Sequence, residues 1–169
     1  MSPSITLYLV ICGSALLIAA ALHDAAARTI PNWMPAGLAT AGLVLRLRHG
    51  DLLLSLGIAS LLFAGLWTLW LRGWMGGGDV KLIPAASLSI IPQYLPQYVI
   101  FVALAGGILA LIYLTLSKFV RRPRPGCPGN LLARVVKAEV WRMHRRGPLP
   151  YAVAITAGAL PFILKNLSE

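Results

Sequence analysis

Between Leu52 and Leu71 the chain reads LLLSLGIASLLFAGLWTLWL, twenty residues without a charge. An α-helix needs about 20 apolar residues to cross the hydrocarbon of a bilayer, so this stretch predicts a membrane helix. Directly after it comes RGWMGGGDVKL (72–82), where charge and three consecutive glycines arrive together. The same bias runs through all 169 residues: 58% are hydrophobic, 12% are charged, and mean hydropathy is +0.77. Soluble domains carry about 25% charged residues. A water-soluble fold of this size cannot hide so much apolar surface, so lipid must solvate much of it.

Working outward, six apolar segments can be drawn: Ile5 to Leu22, Ile30 to Leu47, Leu52 to Leu71, Val80 to Ile91, Leu95 to Ser117 and Leu149 to Leu164. The first, third, fifth and sixth approach spanning length. The fourth covers only about 18 Å at the helical rise and is expected to be tilted, re-entrant or sheltered by its neighbours. Pro92 and Pro96 separate it from the fifth. The first segment lacks the basic opening of a signal peptide and exceeds the usual apolar core of one, so it is expected to remain as the first helix. The expected fold is all-α: a polytopic membrane bundle of about six transmembrane helices in a single domain, residues 1–169, with a basic cytoplasmic loop over 118–147.

Charge orients the bundle. Lys and Arg number 15 against five Asp and Glu, for a net charge of +10. With six spans, one side collects Arg28, Arg72, Lys81 and the nine basic residues from Lys118 to Arg146; the other collects Arg46, Arg48 and Lys165. The positive-inside rule then turns both termini outward and sets Asp24 and Asp79 together at the cytoplasmic edge. Within the loop, Arg121 to Pro128 is irregular in pattern, whereas Asn130 to Arg146 is helical. There Leu132, Val136, Val140 and Met143 share one face, opposite Arg134, Lys137 and Arg145. Such a helix is expected on the inner leaflet, with anionic lipid rather than nucleic acid as its partner.

The chemistry narrows quickly. Cys12 and Cys127 are too few for a disulfide framework or a four-cysteine zinc site. His23, His49 and His144 show no ligand spacing, and no phosphate-binding loop or GxSxG is present, so no metal or cofactor is expected. Asp79 ends the glycine run 76–78. It reads either as the cap of the next helix or as a reactive group in a loop that Gly76 and Gly78 shape and open to close approach. Asp24 directly follows an apolar run, where an ionised carboxyl is costly. Arg28, four residues on, suits an ion pair that would hold it ionised. Lys81, two residues past Asp79, faces elsewhere on a regular helix and suits a lipid phosphate or a substrate backbone. Asp51 falls on the opposite side and reads as structural. Two carboxyls meeting away from water share a proton, and one can then act as base while the other acts as acid. Peptide hydrolysis needs that division; a proton-coupled transporter or channel using both carboxylates, or a non-enzymatic assembly subunit, is the alternative.

These residues resemble a known family. Gly76-Gly77-Gly78-Asp79-Val80-Lys81-Leu82 is similar to the GxGDxKL signature of the type IV prepilin peptidases, which are membrane aspartyl proteases. Asp24, Arg28 and Ile30-Pro31-Asn32 resemble the segment bearing the family's other catalytic aspartate, and Pro150-Tyr151-Ala152-Val153-Ala154-Ile155 with Gly158 resembles its closing helix. The resemblance implies that Asp24 and Asp79 are catalytic, and that prepilin or pseudopilin precursors are cut just before their hydrophobic helix. It places that activity at the cytoplasmic side of a bacterial inner membrane. The paired cysteines and added cytoplasmic portion of larger members are not found here, so the chain resembles the compact peptidase-only kind of tight-adherence (Flp-type) pilus systems.

Overall fold

The computed structural model describes residues 3–119, 130, 140 and 149–168. The described residues form a helical bundle: α1 (Pro3–Ala27), α2 (Trp33–His49), α3 (Leu52–Leu71), α4 (Gly77–Leu88), α5 (Leu95–Phe119) and α6 (Tyr151–Leu164). The amphipathic helix expected over 130–146 lies, apart from Asn130 and Val140, outside the described residues. Three helical stretches are long and apolar enough to cross a membrane: Ser4–Ala27, Leu52–Leu71 and Pro92–Lys118. The sixth segment falls short of the spanning length expected of it. Pro150, with ψ 74°, stays out of the helix, leaving 14 residues in α6 before the chain tightens into the turn Lys165–Leu167.

The short fourth segment is the centre of the bundle. Every residue of α4 from Leu82 to Leu88 is buried, as is Val80. A helix apolar all round belongs in a core. α4 packs against α2, α3 and α6; α1 joins α2 to α6, and α5 packs on α6. Sheltering therefore explains its length, because a helix enclosed by others need not meet the bilayer thickness itself. Pro84 sits inside it, and Ser87 Oγ donates to the Pro84 carbonyl at 2.7 Å. One core cluster runs through Leu17, Leu38, Leu82, Ile90, Tyr98 and Ile155. Bulky side chains such as Leu53 and Leu61 of α3 and Leu104 and Leu111 of α5 point outward instead, as expected of a surface that meets lipid. Two glycines permit backbone contact. A methyl on Gly42 would lie 2.7 Å from the Leu88 carbonyl carbon, and one on Gly158 would lie 2.7 Å from Val102.

At the end where α2 passes to α3, Arg46 is completely buried. Its Nη1 pairs with Asp51 Oδ2 at 3.0 Å and its Nη2 donates to Asn166 Oδ1. Asn166 Nδ2 in turn donates to the carbonyls of Ser89 at 2.9 Å and Ile163 at 2.8 Å. This network fastens the ends of α2, α4 and α6 together. Arg46, assigned to a loop by its charge, is a core residue whose charge Asp51 balances.

Candidate active site

Asp24 lies in the last turn of α1. The helix stops because Arg28 takes a left-handed conformation, φ 58°, while its N–H still donates to the Asp24 carbonyl at 2.8 Å. Arg28 has the sole positive φ of a non-glycine among the described residues, and such a conformation is held in place by its surroundings. His23 Nδ1 and the Thr29 carbonyl, 2.6 Å apart, brace the turn. The Arg28 guanidinium donates to Tyr113 Oη of α5 at 3.3 Å and lies over that ring. The Asp24 side chain is buried, and the Ala152 N–H at the start of α6 donates to its Oδ2 at 3.2 Å.

Asp79 arrives from the other side. After α3 the chain turns through Gly73, φ 72°, and extends at Gly76 before α4 begins. The cap of α4 is thus Gly76, not Asp79, which sits in the first helical turn where the helix dipole favours a carboxylate. The three glycines do not take unusual angles; they serve close approach. A methyl at Gly78 would meet Ile30 at 3.0 Å, one at Gly77 would meet Trp70 Nε1 at 3.2 Å, and one at Gly76 would meet Asp79 Oδ2 at 3.1 Å. The lack of side chains there lets the segment after α1 lie close against the start of α4, at the end of the bundle where Asp24 stands.

A cavity of about 660 Å³ opens where they meet, lined by Asp24, Arg28, Gly76, Gly78, Asp79 and Lys81 among others. All six sequence-predicted residues therefore border one space. Asp79, at the bundle's edge outside the long spans, has its carboxyl pushed up to about 7, first by burial and then by the negative charge of Asp24. Near neutral pH it can hold a proton beside another carboxyl. Lys81 turns away along α4, and its Nζ donates to Asn32 Oδ1 at 3.0 Å, bracing the start of α2. Among the further lining residues, Asn32 and Tyr151 were given no role from the sequence. Asn32 had a signal, since it stands beside Ile30 and Pro31 in the recognised segment. Tyr151 stands in the segment that resembles the family's closing helix; its ring rests where Gly106 has no side chain, 2.5 Å from where a methyl would be. Among the described residues no three His, Cys, Asp or Glu side chains gather as metal ligands do.

Fold and cavity define a helical membrane bundle with two carboxyls facing a common space. Residues 11–111 match the model of the Type IV leader peptidase family, and the chain belongs to that family. It is accordingly a multi-pass membrane protease. The matched region contains both aspartates, while α6 lies beyond it. Neither the curated proteins nor the solved structures contain a match to this chain.

Proposed function

We propose that this protein is an aspartyl endopeptidase that removes leader peptides from type IV prepilin-like or pseudopilin precursors at the cytoplasmic face of the bacterial inner membrane. The observation that carries the reading is the shared cavity of Asp24 and Asp79, with Asp79 raised toward neutrality. Asp24, already an acceptor toward the Ala152 N–H, is placed as the base, and Asp79 as the acid. Asp24 takes a proton from water as the oxygen attacks the scissile carbonyl carbon, and Asp79 gives its proton to the carbonyl oxygen. Collapse of the resulting diol breaks the C–N bond. The proton on Asp24 passes to the leaving nitrogen, and Asp79 recovers one from a diol hydroxyl, so both groups return to their starting state.

Location supports the same reading over a proton relay. A relay wants acids near the middle of the bilayer, whereas Asp24 stands in the last turn of a long helix and Asp79 in the first turn of a short one. Orientation follows the charge count: with Arg46 neutralised by Asp51, Arg48 and Lys165 remain opposite the twelve basic residues of the cytoplasmic side, and the termini face outward. The basic 118–147 loop would hold anionic lipid. Co-expression with a candidate precursor tests the proposal. The wild-type chain shortens the precursor, and Asp24→Asn or Asp79→Asn, inserted at normal levels, leaves it full length. Processing by either variant at a near-normal rate would refute it.

A further inference from the structure

Beside the cavity lies a second hollow that nothing above uses. It has a volume of about 490 Å³, is lined by α2, α3 and α4, and shares Asn32 and Lys81 with the cavity of the carboxyls. Each helix presents one face to it at the spacing i, i+3, i+4, i+7, starting from Asn32, Leu56 and Lys81 respectively. Seven residues of helix cover about 10 Å, or two turns of a partner. The shape follows from the packing: α2 and α3 both lie on α4 but scarcely touch one another, so α4 is the floor and the gap between the other two opens sideways.

We infer that this groove seats the hydrophobic helix of the precursor, so that the chain just before that helix enters the cavity between Asp24 and Asp79. The inference rests on the function proposed above. Three observations select this occupant. First, the groove adjoins the cavity: Asn32 and Lys81 line both, and their 3.0 Å hydrogen bond marks the border. An occupant of the groove therefore ends beside the carboxyls. Second, its walls carry small side chains, Ala36, Ala59, Ser60 and Ala85, where the outward surfaces of α3 and α5 elsewhere carry leucine. Small residues let helix backbones approach closely in lipid, whereas a disordered acyl chain gains nothing from them. Third, an aromatic column extends the same face of α3 toward the site. Phe63 and Trp67 have ring centroids 5.6 Å apart, Trp67 and Trp70 4.9 Å, and Trp70 ends against Gly77. It offers a rigid wall along which a helix can pass to the glycine run. Lys81 then stands where apolar helix gives way to polar leader, with an ammonium available to the backbone carbonyls of the chain at that border.

The test uses full-length protein in liposomes and a pilin precursor that it processes. Ser60 and Ala36 are exposed in the groove, so Ser60→Trp and Ala36→Trp fill it without disturbing the core. Each is expected to lower kcat/KM for the membrane-embedded precursor by about tenfold or more, chiefly through KM. Cleavage of a soluble peptide that spans the scissile bond but carries only the first few residues beyond it stays at the wild-type rate. In a cysteine-free Asp79→Asn background, Ser60→Cys is expected to form a disulfide with a cysteine in the first two turns of the precursor's helix, and Leu104→Cys on α5 is not. Equal loss on both substrates, equal trapping at Ser60→Cys and Leu104→Cys, or capture of a photoreactive lipid at Ser60 undiminished by excess precursor would overturn the groove assignment. In each of those cases processing by the wild-type chain would leave the proposed function standing. Absence of processing with every precursor tried would overturn both.

Discussion

Two acidic sites at opposite ends of the bundle solve the same problem differently. Asp51 lies 3.0 Å from a buried guanidinium that Asn166 also holds, so charge meets opposite charge and the ends of α2, α4 and α6 are fastened. Asp79 is set beside Asp24 instead, in a cavity of about 660 Å³, and the neighbour's charge adds to burial in raising it to about 7. Compensation makes an anchor; juxtaposed like charge costs free energy and leaves a proton that can move. On the proposed function, the contrast separates structural from reactive carboxyls within one small protein.

The largest effects should divide along that line. Asp24→Asn and Asp79→Asn are expected to reduce precursor processing by about 10²–10⁴-fold, the usual worth of a positioned acid or base, while thermal unfolding in detergent changes little. Comparable processing losses in Asp51→Asn protein that remains folded would erase the distinction. Arg46→Ala, which strands Asp51 and Asn166, should cost about 3–5 kcal/mol of stability. The double variant Arg46→Met/Asp51→Asn should recover part of it, and a double variant no more stable than Arg46→Ala would show that the ion pair is not the anchor.

Smaller effects sharpen the picture at the cavity. Neighbouring glycines in α5 should respond unequally, because a methyl at Gly106 strikes the Tyr151 ring and one at Gly107 meets nothing within 4 Å. Gly106→Ala is expected to cost about 1–3 kcal/mol by overpacking and to slow processing as Tyr151 shifts. Gly107→Ala should stay within about 0.5 kcal/mol in the same unfolding measurement. A separate signal is in pH. Asp79 is raised in the fold from 3.8 to about 7, so the folded state holds a proton that the unfolded chain has released. Its contribution to stability is full below pH 4 and is lost as pH rises toward 7. That slope should vanish in Asp79→Asn. Processing by the wild-type chain should likewise decline as pH rises through about 7, whereas a rate that keeps climbing there would reassign the acid.

Much of this was legible in residue order. Hydropathy located helices α1 to α6 of the described residues, because an apolar run with proline or charge at its ends leaves a membrane chain little alternative. Both aspartates stood out because charge is scarce in such a chain, and Lys81, Arg28 and the glycines came with them. Where pattern misled, a partner distant in sequence decided. Asp79 looked like a cap until Gly76 took that position. The glycines suggested close approach, but which side chains come near, Ile30 and Trp70, was settled only by the packing. Arg46 counted as a loop charge until Asp51 and Asn166 drew it inside, and nothing local in the sequence tied Tyr151 to Gly106, which makes room for its ring.

By itself the order of residues determined a helical membrane protein, its spans and its scarce carboxyls, since those depend on local transfer of side chains between water and lipid. Tertiary structure alone decided that α4 is enclosed as the core of the bundle, that Asp24 and Asp79 border one cavity, and that a groove adjoins it. Those outcomes depend on distances between side chains dozens of residues apart, set by how closely helices pack, and no local preference encodes them.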